Sequence, residues 1–338
     1  MLLSRDLDLL LHSGYAFREL DGSRITILGG TGFIGQWLIG ALNVFSSNFD
    51  FSAQITVVTR DSKRAQELFA GKLSIPIEFV EFDFADSTFN LDKSDFFVNG
   101  ATPSRNATGL KNSVAVYAST MNASESIIRS AIKFRNIPKV VNLSSGIVYG
   151  TQGQDVRNQT ERPVSLNPNS QSGYLNAKLA SELIFTDANT SGTLSSISPR
   201  LYAFAGPGLV LNEHFAVGNF LRDGLDGREI SIEGSPETLR SYMYPTDLII
   251  WILVALLNPM DLNVNIGSES PISMLNLAQL ISGLTSKKGV RILSDHPTAS
   301  NYVPSTSVFR QVYGVAQTVT LETGLQHWIE SLLRSQRY

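Results

Sequence analysis

A chain of 338 residues, 43% hydrophobic and 17% charged, has room for two domains, or for one large domain with an appended lobe. Its net charge of −3 makes no case for nucleic acid or an anionic membrane as a partner. With no cysteine, disulfides, thiolate metal sites and a cysteine nucleophile are excluded, and the four scattered histidines, His12, His214, His296 and His327, lack HExxH-type spacing, so no metal site is expected.

The N-terminal MLLSRDLDLLLHSG is interrupted by Asp6 and Asp8 and reads as a short amphipathic helix rather than a leader, which places the protein in the cytoplasm by default. RITILGG (Arg24–Gly30) is a β-branched run ending in glycines, followed by a helix near Ile34–Phe45. QITVVTR (Gln54–Arg60) is a second strand and Ser62–Ala70 a charged helix; IEFVEFDF and DFFVNGA (Asp95–Ala101) are the third and fourth strands. A long helix over Ser113–Asn136 leads to a fifth strand, KVVNLSS (Lys139–Ser145). A helix beginning at Gly173 and a sixth strand in TLSSISPRLY complete the series. Repeated β-α-β units of this length predict an α/β fold, a Rossmann-type doubly wound parallel sheet, with a smaller C-terminal α/β substrate lobe.

Beyond Gly206, glycines and prolines become frequent and the elements shorten. The reading gives a dinucleotide-binding domain over 1–205, with 1–22 as a helical extension, and a substrate lobe over 206–338 from which 247–267 returns to the first domain. LIIWILVALL (Leu248–Leu257) is too short to span a bilayer and is expected as a buried helix. NxS/T triplets such as Asn106-Ala107-Thr108 then carry no meaning as glycosylation sites.

GGTGFIG (Gly29–Gly35) follows the first strand and opens a helix, the context a dinucleotide fingerprint requires. Gly29 and Gly32 let the backbone approach a pyrophosphate at the helix N-terminus, beside Phe33 and Ile34, and Gly35 lets the helix pack on the strand. At the end of the second strand, where an acidic residue would accept from a ribose 2′-OH, stand Thr59 and Arg60, with Lys63 and Arg64 beyond. Positive charge without an acid suits a 2′-phosphate, which favours NADP with NAD as the alternative. Asp83 and Phe84 end the third strand, where they would lie beside an adenine.

GYLNAKLASE places Tyr174 and Lys178 one turn apart on one helical face. An ammonium beside a phenol lowers its pKa from about 10, making it a usable proton donor and acceptor. The ordered series GGTGFIG, EFDFAD, SSGIVYG, YLNAK, PRLYAFAGPG, RSYMYPTDL and NIGSESPIS resembles the extended short-chain dehydrogenase/reductase superfamily, and within it the nucleotide-sugar (NAD-dependent) epimerase/dehydratase family. The resemblance runs from about Arg24 to Leu333. It implies Tyr174 as acid/base toward a sugar hydroxyl or ketone, Lys178 on the nicotinamide ribose, and Ser145 on the same sugar oxygen, with Ser144 a near-equivalent candidate. It also implies Arg240 as the partner of a nucleotide-diphosphate sugar, the alternative being an ion pair with Asp247. Asn219 and Tyr302 are further substrate-lobe candidates. Tyr149 is read as packing, Asn122 as structural and Arg200 as a loop brace. A homodimer built on the helices at Ser113–Asn136 and Gly173–Asp187 is expected on the same resemblance.

Three departures narrow the chemistry. The Asp-Glu pair of the family's 4,6-dehydratases is replaced by Gly146 and Ile147, which disfavours water elimination. Ala203 stands where the family has asparagine, and SDHPTASNY lacks an arginine common before the tyrosine. The sequence therefore points to an NAD(P)-dependent epimerase or 4-ketoreductase; the alternative is a catalytically inactive NADP-binding sensor or scaffold.

Overall fold

The computed structural model describes residues 4–13, 17–49, 52–103, 113–153, 158–164, 173–211, 215–285, 288–293 and 299–335. His214, His296 and the Asn106 triplet lie outside them.

Six strands, β1 (Arg24–Leu28), β2 (Gln54–Thr59), β3 (Ile77–Glu81), β4 (Phe96–Asn99), β5 (Lys139–Asn142) and β7 (Ser195–Ile197), form one parallel sheet in the order β3-β2-β1-β4-β5-β7. Register is set by pairs such as Leu28 with Val58 on one side and with Asn99 on the other. The order reverses direction between β1 and β4, and the crevice outside the carboxyl ends of strands at such a switch is where open α/β sheets take ligands. The helices flanking this sheet are α2 (Phe33–Phe49), α3 (Ser62–Phe69), α4 (Ser113–Phe134) and α5 (Gly173–Thr190). Helix α1 (Ser4–Leu11) docks on them, with Leu10 buried and the Tyr244 hydroxyl donating to Asp6 Oδ1 at 2.8 Å.

Two expected strands are split. KVVNLSS breaks after Asn142, and β6 (Ser144–Ser145) leaves the main sheet to pair with β8 (Arg200–Leu201), itself separated from β7 by Ser198-Pro199. Proline has no N–H to give a ladder, so a strand carrying one inside is interrupted there. β8 also pairs with β11 (Asn265–Ile266), so VNIG joins this small three-stranded sheet rather than the large one.

The remaining strands form two short pairs: β9 (Ile230–Ile232) with β13 (Val290–Ile292), and β10 (Leu239–Arg240) with β12 (Ile272–Ser273). Helices α6 (Ala216–Leu225), α8 (Met274–Leu284) and α10 (Leu321–Ser335) enclose a second core around Phe220, Leu277 and Trp328.

Helix α7 (Pro245–Leu257) starts on a proline whose missing N–H costs nothing at a first turn, and every one of its residues is buried in the core of the large sheet. A helix apolar all round has no solvent face and is stable only when so enclosed. Helix α9 (Ser307–Tyr313) covers it, stacking Phe309 on Trp251 with centroids 4.8 Å apart at 3°. That return of the chain to the first core was not anticipated from the sequence.

Candidate active site

The glycine loop occupies the β1 end of the switch point. Gly29 has φ +83°, and a Cβ there would meet the Gly100 carbonyl oxygen at 2.5 Å, across from the end of β4. A Cβ on Gly35 would meet Gly30 Cα at 2.5 Å, so this glycine lets helix and strand close on each other. Gly32 is exposed, and a Cβ there would meet nothing nearer than the Gly29 carbonyl oxygen at 3.3 Å, which leaves its outer side open to a ligand. The amides of Phe33, Ile34 and Gly35 form the first turn of α2 and have no carbonyl of that helix to bond. Open backbone donors at the positive end of a 17-residue helix fit a pyrophosphate.

At the neighbouring end of β2 the acidic groups are committed elsewhere. Asp61 caps α3 by accepting from Arg64 N at 2.8 Å, and Glu81 accepts from Ser62 N at 3.1 Å and Ser62 Oγ at 2.6 Å. Thr59 is buried, 3.3 Å from Thr31 Oγ1 of the glycine loop. Arg60 is exposed, and among the described residues no carboxylate pairs with it. The expectation for β3 needs correction in part. The Phe84 ring is 5% exposed and belongs to the core with Leu28 and Val58, so it is not offered to an adenine. Asp83 Oδ1 accepts from Ala85 N at 2.9 Å, a turn of the chain on itself, and Asn122 holds the Phe84 carbonyl at 2.8 Å.

Opposite this loop, α5 brings Tyr174 and Lys178 to the end of β5. Glycine at 173 lets the first turn of α5 approach α4 closely, since a Cβ there would collide with Ser113. Lys178 Nζ lies 5.7 Å from the Tyr174 ring centroid and donates to the Leu143 carbonyl at 2.6 Å. Lys178 is only 5% exposed. Burial pushes its pKa down to about 7, with Glu182 acting in the opposite direction. A lysine whose folded pKa lies below its unfolded value leaves the native state with fewer protons, so stability rises with pH between about 7 and 10.5. From pH 7 to 9 the wild type should gain about 2 kcal/mol relative to Lys178→Met, measured by urea denaturation at each pH. Parallel curves for the two proteins would mean Lys178 keeps its proton throughout.

The two serines of SSGIVYG point apart, as successive side chains of a strand must. Ser144 is buried and donates to Glu182 Oε1 at 2.5 Å. Ser145 is half-buried, accepts from Ile147 N at 3.3 Å, and lies 3.3 Å from the Tyr302 hydroxyl. Glu182 was missed in the sequence, although it stands one turn beyond Lys178 on the same face. Its carboxylate is chelated by Arg200, Nε to Oε1 at 3.1 Å and Nη2 to Oε2 at 2.7 Å, with both side chains out of solvent. Arg200 also donates to the Arg162 carbonyl at 3.1 Å and stacks 4.6 Å from the centroid of Tyr149, whose hydroxyl donates to Asn265 Oδ1 at 2.9 Å. The loop brace expected of Arg200 is therefore a buried ion pair.

At Gly146, a Cβ would lie 2.5 Å from the ring of Tyr202, so no larger residue fits without moving that ring. Tyr202 packs in turn against Tyr302, centroids 4.5 Å apart. Arg240 reaches the same region through a bridge between its backbone and that of Tyr302. Its guanidinium donates to Ser300 O at 2.6 Å and Leu239 O at 2.9 Å. The ion pair with Asp247 is not formed: Asp247 accepts from Thr318 N, Thr318 Oγ1 and Val319 N instead. Asn219, on α6, accepts from Arg222 Nη1 at 3.3 Å. Among the described residues no group of three or more His, Asp or Glu is placed to hold a metal ion, and no helix is long and apolar enough to cross a membrane.

The NAD dependent epimerase/dehydratase family model matches residues 25–267, well over half the chain. UDP-glucuronic acid decarboxylase 1 of Xenopus tropicalis is 24% identical over 319 residues, covering 92% of this chain and 72% of that protein. The structure of UDP-N-acetylglucosamine 4-epimerase from Methanobrevibacter ruminantium M1, in complex with UDP-N-acetylmuramic acid, superposes with TM-score 0.78 at 18% identity, over 93% of this chain and 99% of that one. The Bordetella bronchiseptica enzyme WbmF in complex with NAD+ and UDP gives 0.77 at 18% identity, over 96% and 95%.

Proposed function

The chain belongs to the NAD dependent epimerase/dehydratase family, and from that premise we propose that it is an NAD(P)-dependent 4-epimerase or 4-ketoreductase acting on a nucleotide-diphosphate sugar. The observation that supports this reading is Lys178 Nζ 5.7 Å from the Tyr174 ring centroid, on a helix packed against the short strand that carries Ser145. A bound nicotinamide supplies the hydride acceptor and donor. Tyr174 moves the proton on or off the sugar oxygen, Lys178 favours the phenolate, and Ser145 hydrogen-bonds the same oxygen. Arg240 suits the diphosphate: its guanidinium is desolvated and, among the described residues, carries no carboxylate counter-ion. Gly146 and Ile147 offer no acid or base for eliminating water, and Tyr202 fills the space where one would project.

Arg60, exposed and without an acidic neighbour committed to it, favours NADP. Comparative titration should find NADP(H) bound about tenfold more tightly than NAD(H), with Arg60→Ala removing the difference; tighter NAD(H) binding reverses the assignment. Incubation with a panel of UDP-, dTDP- and GDP-sugars, followed by NMR of the products, tests the reaction. Redox-neutral inversion identifies an epimerase, stoichiometric loss of reduced-nicotinamide absorbance a ketoreductase, and no conversion of any sugar favours the sensor. We also propose a homodimer through α4 and α5, whose outer face exposes Val114 (81%), Tyr117 (45%) and Leu183 (47%). Light scattering should find a dimer that Leu183→Asp dissociates, and a monomeric wild type ends that proposal.

A further inference from the structure

Tyr302 arrives at the site from a segment far along the chain. Its N–H donates to Leu239 O at 3.0 Å, and its ring is wedged against Tyr202. Its hydroxyl donates to the Leu201 carbonyl at 3.3 Å and stands 3.3 Å from Ser145 Oγ. A phenol owns one proton. With that proton on Leu201, the Tyr302 oxygen faces Ser145 as an acceptor. Ser145 Oγ already accepts from the Ile147 amide, so the proton Ser145 owns is directed at Tyr302.

We infer that Tyr302 is a positioning residue: it fixes the rotor of the Ser145 hydroxyl and holds its proton until a substrate oxygen takes it. Burial holds the Tyr302 phenol above its ordinary range; the Ser145 hydrogen bond opposes this, the nearby Tyr174 adds to it and Arg240 again opposes. Tyr302 therefore stays neutral and does not compete with Tyr174 for the proton-transfer step. When a sugar oxygen enters, Ser145 Oγ leaves the Tyr302 hydroxyl and donates to the substrate oxygen instead; the contact from the Ile147 amide, at 3.3 Å, is too long to hold Oγ alone. A hydroxyl fixed before substrate binds loses no freedom at the moment of reaction.

The inference rests on the reading of Ser145 as the group that bonds the reacting oxygen, and two measurements on the full chain separate them. The first is a high-resolution crystal structure of ligand-free Tyr302→Phe, which keeps the ring on Tyr202 and removes only the hydroxyl. Ser145 Oγ should spread over more than one rotamer; an unchanged single rotamer overturns the inference whatever the chemistry. The second is a double-mutant cycle of Y302F and S145A, using whichever UDP-sugar of the panel is converted. Y302F should lower kcat about fivefold with KM changed less than about twofold, and should have no further effect in the S145A background. An equal fall in both backgrounds overturns the inference. If S145A itself leaves kcat unchanged while Ser145 loosens in the Y302F crystal, the role of Ser145 in the reaction is lost and the positioning contact stands.

Discussion

Tyr174→Phe should abolish conversion of the nucleotide sugar, with kcat falling about 10²–10⁴-fold, while the affinity for NADPH stays within about a factor of two. Phenylalanine preserves the ring that lies 5.7 Å from Lys178 and the packing of α5 on α4, so the fold and the glycine loop have no reason to change. What is lost is the one proton that must move with the hydride. Ser145 cannot replace it, because a serine hydroxyl has no pKa near neutrality. Tyr302 cannot either, since burial holds its proton on. NMR of the sugar product measures the first quantity and quenching of protein fluorescence by NADPH the second. Turnover surviving in Y174F would remove Tyr174 from the chemistry, and the 5.7 Å pair would then be a packing contact. Loss of both turnover and cofactor binding would instead assign the tyrosine to the cofactor site alone.

The parts of this site legible in the sequence are those fixed by local chain geometry. Tyr174 and Lys178 share a face because a helix repeats every ~3.6 residues, and Gly35 is demanded by a helix closing on the strand it follows. The apolar run of α7 announced burial because ten consecutive residues, Leu248–Leu257, leave a helix no polar side. What the sequence hid was set by contacts between distant segments. Ser144 and Ser145 are chemically alike and adjacent; only the departure of β6 from the main sheet turns one toward Glu182 and the other toward Tyr302. Tyr302 reads as a substrate-lobe residue because its neighbours in sequence are there, whereas its hydroxyl reaches the Leu201 carbonyl and Ser145. Phe84 was expected at an adenine because strand ends face ligands, yet at a strand end the ring can as easily turn under the adjoining helix, as it does here among Leu28 and Ala123. Glu182 had a signal that went unused: it follows Tyr174 and Lys178 at the same four-residue interval, and a glutamate on the inward face of a helix needs a cation to meet it.

Glu182→Ala should destabilise the protein by about 3–5 kcal/mol in urea denaturation near neutral pH. Arg200 is 1% exposed and Glu182 3%, so neither charge can turn to solvent when the other is removed. The guanidinium would keep the Arg162 carbonyl, Tyr149 and the weaker attraction of Glu161, and the Ser144 hydroxyl would lose its acceptor. The cost belongs to the stranded arginine rather than to the attraction of the pair, because two buried ions give up hydration in forming their bond. Glu182→Leu combined with Arg200→Met should therefore recover most of the lost stability. Catalysis should not recover with it. Ser144 sits next to Ser145, and with no carboxylate to hold it the short strand β6 loses the anchor that sets the serine at the sheet edge. Glu182 also opposes the burial that drives Lys178 toward neutrality, so its removal leaves fewer molecules with an ammionium-bearing Lys178 at pH 7. A stable double variant with poor turnover, its activity shifted toward lower pH, is the expected outcome. Full activity in that variant would reduce Glu182 and Arg200 to a strut between α5 and β8.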